Sequence, residues 1–179
     1  MQKRMVFILV ALLGLSFNTY AATSLNSGAS FDVGFSPDGD SLELVLKGIN
    51  SAKKSIYVAA YSFTSKPISG ALLSAYKRGV DVKVVADAKS NSGKYSATTY
   101  LANNNVPVKL DSNYAIFHHK FIIIDGQTLE TGSFNFSKNA ATKNAENVLL
   151  LWNVPQIAQV YYSEWQKLWN ESYLLKSNY

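Results

Sequence analysis

Hydrophobic and polar positions along the chain change their spacing several times, and each change marks an element. Ser30 to Ser36 reads as a strand, closed by the turn sequence Pro37-Asp38-Gly39-Asp40. From Ser41 the apolar residues Leu42, Leu44, Val45, Leu46, Ile49 and Ala52 predict a helix capped by Asp40 or Ser41. Ser55 to Phe63 is a β-rich run with little polar alternation, which predicts a buried strand. The pattern then repeats. Ile68, Leu72, Ala75 and Tyr76 give Pro67 to Arg78 helical spacing, Gly79 supplies a stop, and Val80 to Ala86 reads as the next strand. A polar loop from Lys89 to Tyr95, a short helix to Asn104 and a strand at Val106 to Leu110 complete this half. Strand and helix in alternation predict an α/β fold: a layered sandwich with a mixed, largely parallel central sheet flanked by helices.

The second half follows another pattern. Ile116 to Asp125 reads as a strand, Asp125-Gly126 as a turn, and Thr128 to Asn135 as the return strand of a hairpin. Val148 to Trp152 is a further apolar strand after a polar stretch. Ile157, Val160, Tyr161, Trp165, Leu168 and Trp169 then fall on one stripe of an amphipathic closing helix. Tyr61, Phe63, Trp165 and Trp169 are assigned to packing by these patterns, the two tryptophans to the core or to a subunit contact.

The beginning of the chain stands apart from this scheme. Lys3 and Arg4 precede an uncharged apolar run from Met5 to Phe17, and small residues follow to Ala21 and Ala22. That is the layout of a secretory signal peptide, shorter than the ~20 apolar residues of a spanning helix. Cleavage after Ala21 is preferred to cleavage after Ala22, because it places Thr19 rather than the bulkier Tyr20 at the −3 position. An uncleaved anchor is the rival. The expected organisation is therefore a leader over residues 1–21 and one domain over residues 22–179, periplasmic or secreted, with no stable membrane association after cleavage. Removing the leader takes the formal charge from +5 to +3. This excess is compatible with a polyanionic partner. The chain has no cysteine, which excludes disulfides, thiol nucleophiles and cysteine-ligated zinc.

The chemistry-bearing residues cluster late in the chain. The only two histidines are adjacent, His118 and His119, so on a strand they point to opposite faces while His118 and Lys120 share one. Ser133 and Asn135 share a face of the return strand, which the hairpin can bring beside that pair. An imidazole, an ammonium, a hydroxyl and an amide converging there suit a phosphate: one group to attack, several donors to neutralise its oxygens. Strand parity places Asp125 on the other face or in the turn, away from the same ligand. Two opposed histidines are also a poor basis for a zinc site, so no metal or other cofactor is expected, although counting leaves an oxygen-ligated magnesium site open. Lys89, Lys94, Lys138 and Lys143 lie in polar stretches and can bind a phosphate backbone, with Tyr95 or Phe136 stacking on bases; an ordinary solvated surface explains them equally well.

His118-His119-Lys120, four residues, Asp125, six residues, Gly132-Ser133-Phe134-Asn135 resembles the signature of the phospholipase D superfamily. Asn135 two residues after Ser133 has the spacing of its small bacterial nuclease branch, and Glu146 sits where that branch carries an acid. The resemblance runs from about Ser30 to the closing helix. It implies the phospholipase D/nuclease fold, His118 as a nucleophile forming a phosphohistidine, and Lys120 and Asn135 holding the non-bridging oxygens. It further implies that Glu146 orients His118, that Ser133 supports the pocket, and that Asp125 and Gly132 are structural. The superfamily normally uses two copies of the motif. One copy here implies a homodimer with its site at the two-fold interface. The activity so implied is that of a metal-independent phosphodiesterase, an endonuclease acting on DNA or RNA. The alternatives are a phospholipid-cleaving enzyme with the same chemistry and a catalytically silent nucleic-acid-binding protein.

Overall fold

The computed structural model describes residues 22–93 and 96–176; the leader expected over 1–21, with Lys94 and Tyr95, lies outside them. Eight strands form a single sheet: β1 (Ser30–Ser36), β2 (Ser55–Ala60), β3 (Asp81–Asp87), β4 (Val108–Asp111), β5 (Lys120–Ile124), β6 (Thr128–Gly132), β7 (Glu146–Trp152) and β8 (Tyr173–Leu174). Their spatial order is β1-β7-β6-β5-β2-β3-β4-β8. Among the described residues six helices accompany them: α1 (Ser41–Ser51), α2 (Lys66–Lys77), α3 (Ala88–Asn91), α4 (Ala97–Asn103), α5 (Lys138–Thr142) and α6 (Pro155–Glu171).

The layered α/β architecture and the mixed sheet are as expected, but the parallel part is smaller. Only β2–β3 and β3–β4 pair in parallel, through the crossovers of α2 and α4. The other five pairings, among them β2–β5 and the β5–β6–β7–β1 meander, are antiparallel. Between β5 and β6 the three-residue connection can only reverse the chain, since a parallel return needs a longer crossover.

Two hydrophobic layers enclose the sheet. On one side α1 and α2 press Val45, Ile49, Ile68 and Leu72 onto Ile56, Val58, Val84, Ile122 and Ile124. On the other, α6 lays Ala158, Trp165 and Leu168 on Ala59, Val85, Phe121, Ile123 and Leu129. Covered on both faces, β5 is buried at every position, which is why its sequence is an unbroken apolar run after Lys120. Local signals set the ends. Ser65 Oγ accepts the Ile68 N–H at the start of α2, with Pro67 in the first turn, and Gly79 follows the helix at φ +90°. Trp165 is buried in the second layer, its Nε1 donating to the Val58 carbonyl at 2.9 Å, and half-buried Trp169 stacks on it at 5.1 Å.

Asp125 lies in the turn after β5 and acts as a clasp. It sits at φ +53° just after β5, at the end opposite Lys120, and its carboxylate accepts from the backbone N–H groups of Lys53, Lys54 and Ser55 at 2.7–3.2 Å. Burial pushes its pKa up, but these N–H groups and Lys54 outweigh it, and the net shift is downward. Because the folded pKa is depressed, the clasp's stabilisation is present above the unfolded value near 3.8 and fades as pH falls through the folded one. Asp125→Ala, which also strains a left-handed position, is expected to cost about 2–3 kcal/mol, and Asp125→Asn less, in urea unfolding at neutral pH. The difference between wild type and Asp125→Asn should narrow as the titration is taken below pH 4.

Candidate active site

One end of the sheet collects the chemistry. There β2 ends at Ala60 and β3 at Asp87, β5 begins at Lys120, β6 ends at Gly132 and β7 begins at Glu146. Lys120 pairs with Ala60 on β2, and Phe121 with Thr131 puts Gly132 in line with Lys120 on the other side. Gly132 must be glycine: a Cβ there would stand 2.1 Å from the Asn147 carbonyl oxygen on β7.

The strand expected from Ile116 begins only at Lys120, because the chain before it is held otherwise. The Phe117 N–H donates to Asp87 Oδ2 at 3.0 Å, while Asp87 Oδ1 accepts the Ser90 N–H at 2.7 Å at the head of α3. Burial raises the Asp87 pKa, but those N–H groups pull it below the usual carboxylate value, so it stays ionised. The two imidazoles still diverge. His118 is exposed and packs on Tyr61 with ring centroids 4.6 Å apart at 54°. His119 meets the edges of Phe117 and Phe121 at 5.4 and 5.6 Å, and burial lowers its pKa.

Lys120 is buried, its Nζ donating to the His118 carbonyl at 2.8 Å and lying 5.2 Å from the Tyr61 ring centroid. Burial lowers its pKa, and the nearby Glu146 partly offsets this. Tyr61 thus touches both groups. It was assigned to the core from its apolar run, yet β2 stops at Ala60 and the ring turns toward the site.

Ser133 and Asn135 come from chain just beyond β6, which stops at Gly132 rather than Asn135, and Glu146 opens β7. Ser133 Oγ donates to Glu146 Oε2 at 2.6 Å and accepts the Asn147 N–H at 3.0 Å; Asn144 Nδ2 donates to Glu146 Oε1 at 2.9 Å. Ser133 thereby ties the end of β6 to the start of β7. Ser133 and Asn144 thus donate to both Glu146 oxygens, and among the described residues no hydrogen bond joins Glu146 to the His118 imidazole. From Ser133 the backbone crosses the head of β5 until the Phe136 carbonyl accepts the N–H groups of Thr64 and Ser65, both at 2.9 Å. This crossing carries Asn135 over the Lys120 end of β5, with its side-chain oxygen buried and without a hydrogen-bond partner among the described residues.

Lys89, Lys138 and Lys143 are exposed on or beside α3 and α5, at the same end of the sheet. The short helices α3 and α5 replace what reads in the sequence as loop. Phe136 is not available for stacking on a base: it is buried edge-to-face against Phe63, with centroids 5.7 Å apart.

Known proteins share this layout. A family model described as a cardiolipin synthase, PLD-like domain matches residues 45–169. The chain belongs to the phospholipase D superfamily. Among solved structures, the phospholipase D family member Nuc from Salmonella typhimurium superposes with a TM-score of 0.81 at 49% identity, over 83% of this chain and 99% of Nuc. NucT from Helicobacter pylori follows with a TM-score of 0.74 at 29% identity, over 82% of this chain and 99% of NucT. A phospholipase D of Rickettsia prowazekii is 33% identical over 155 residues, 87% of this chain and 75% of that protein. The chain is accordingly a phospholipase D-superfamily phosphodiesterase with the α/β fold of Nuc.

Proposed function

We propose that this phosphodiesterase is a metal-independent endonuclease of low sequence specificity that cleaves DNA, with RNA also open to it, at the interface of a homodimer. The observation that carries the reading is the exposed His118 imidazole set two residues from the half-hidden Lys120 ammonium, with Asn135 crossing above them. His118 attacks phosphorus, forming a P–N bond as the P–O bond to the leaving group breaks, and the departing oxygen takes a proton from the partner subunit's His118. That second imidazole then deprotonates a water, whose oxygen displaces His118 and completes hydrolysis. Lys120 and Asn135 stabilise the charge gathered on the non-bridging oxygens without a metal. Lys89, Lys138 and Lys143, with Lys94, track the nucleic-acid backbone. The leader exports the enzyme to the periplasm or beyond.

Two observations favour nucleic acid over lipid: the similarity to Nuc and NucT across almost their whole length, and the exposed lysines Lys89, Lys138 and Lys143 at the site's end of the sheet. The phospholipid reading rests on names: the phospholipase D of Rickettsia prowazekii, relatives called mitochondrial cardiolipin hydrolase, and the cardiolipin synthase of the family model. A single preparation offered plasmid DNA and phosphatidylcholine vesicles, each with and without excess chelator, separates them. Plasmid loss that chelator leaves intact is the expected result. Lipid hydrolysis without plasmid loss would move the assignment to the second reading, and abolition by chelator would end the metal-free mechanism.

The dimer has a surface to form on. Phe31, Val33 and Phe35 project from one side of the edge strand β1, exposed by 68, 43 and 61%, where neither helix layer covers the sheet. Phe35 lies across from Asn147, beside Glu146, so the apolar stripe runs up to the rim of the site. Phe31→Arg together with Phe35→Arg is expected to give a monomer by light scattering and to remove most phosphodiesterase activity with it. A fully active monomer would contradict the shared site.

A further inference from the structure

We propose that Tyr61 is a positioning residue, whose ring holds His118 and Lys120 in one arrangement for attack on phosphorus. This rests on the roles proposed above for those two side chains. Three observations support it. First, the ring is the shared neighbour of both groups, 4.6 Å from the imidazole centroid and 5.2 Å from Lys120 Nζ. Second, among the described residues the His118 side chain makes no hydrogen bond and Glu146 is engaged elsewhere, which leaves ring packing to fix the imidazole.

Third, the ring is borne on a clamped backbone. Buried Asn91 donates to the Tyr61 carbonyl at 2.6 Å and the Asp87 carbonyl at 2.8 Å, and accepts the Phe63 N–H at 3.0 Å. Asp87 in turn holds Phe117, next to His118. The segment presenting the ring and the segment presenting the imidazole are therefore tied to one another. The electrostatics agree: an aromatic face favours a cation, and it does so for Lys120 without consuming the ammonium donors that a phosphate needs. Preorganisation of this kind raises turnover rather than affinity.

The test uses the full-length enzyme and bis(p-nitrophenyl) phosphate, a phosphodiester that is neither nucleic acid nor lipid. Tyr61→Leu is expected to lower kcat roughly 10- to 30-fold with little change in KM. Tyr61→Phe, which keeps the ring, should stay within about twofold of wild type. Independently of activity, the imidazole C–H proton resonances of His118 should be shifted upfield by the ring in wild type and in Tyr61→Phe, and relax in Tyr61→Leu.

Unchanged kcat in a folded Tyr61→Leu protein would overturn the proposal, as would a Tyr61→Phe defect as large as that of leucine. If the leucine variant does not fold, the wild-type spectrum decides: no upfield shift at His118 removes the premise. Activity surviving in His118→Ala would instead strike at the underlying site assignment, a separable failure.

Discussion

His118→Ala is expected to lower kcat for phosphodiester cleavage by ~10⁴-fold or more, the scale seen when a covalent nucleophile is removed, while leaving the melting temperature nearly unchanged. The second half of that expectation is as informative as the first. The side chain is exposed and touches the rest of the protein mainly through the Tyr61 ring, so truncation opens no cavity and leaves no buried partner unpaired. DNA binding, measured by fluorescence anisotropy on a labelled duplex, should persist, since the lysines proposed to bind the backbone are untouched. A mixture of wild-type and His118→Ala subunits should fall below the activity of its wild-type fraction, because a shared site needs both imidazoles. Activity strictly proportional to the wild-type fraction would show that each subunit works alone. Retained activity in the pure alanine variant would discard His118 as nucleophile.

The fold was legible wherever one period ran uninterrupted. β1, α1, α2, β3 and α6 lie within a residue or two of where their apolar spacing puts them, because each buries a single stripe or face. The pattern failed where a segment's partners are not neighbours in sequence. Nothing local shows that Phe117 donates to Asp87 thirty residues upstream, so the strand reads four residues too long. Nor can apolar character distinguish parallel from antiparallel pairing for β5, which is buried on both faces either way. The four- and five-residue helices α3 and α5 are too short to show a period; only their caps, Asp87 and Ser137, mark them.

The site was legible as a set of residue types at fixed spacing, and the structure brings His118 and Lys120 together, with Ser133 bonded to Glu146 close by. Tyr61 went unrecognised because an aromatic at the end of a β-rich run looks like core, and its contact with His118 spans 57 residues of chain. Asn91 and Asp87 were missed for the same reason: their bonds to Tyr61, Phe63 and Phe117 exist only once the loops have been folded over the sheet end. Gly132 shows the opposite case. Its absent side chain reflects the approach of the Asn147 carbonyl, a constraint seen only in the structure although the residue was already marked by the motif.

The largest effect on stability is expected at Glu130, two residues before Gly132 on β6. Its side chain is buried at 1% exposure, both carboxyl oxygens lack a hydrogen-bond partner among the described residues, and burial alone pushes its pKa up to about 8. Glu130 pairs with Ile122 on β5 and Leu150 on β7, under the turn of α1 where Gly48 meets Ile124 and Leu150. Among the described residues no cation stands there to compensate a charge. The folded pKa lies above the unfolded value near 4.5, so folding favours the neutral acid. Its contribution is intact below pH 4.5 and is lost progressively as pH rises toward 8. At ~1.4 kcal/mol per pH unit, this carboxyl should cost the fold on the order of 5 kcal/mol between those limits. Glu130→Gln cannot ionise and should flatten the curve, leaving the variant several kcal/mol more stable than wild type at pH 8.5 but close to it at pH 5. Glu130→Met should gain at both pH values, because it also removes the unpaired polar atoms while filling nearly the same volume. Urea unfolding of the three proteins from pH 5 to 9 measures this directly. Parallel curves for wild type and Glu130→Gln across that range would mean that the buried acid either keeps its ordinary pKa or finds a partner on ionising.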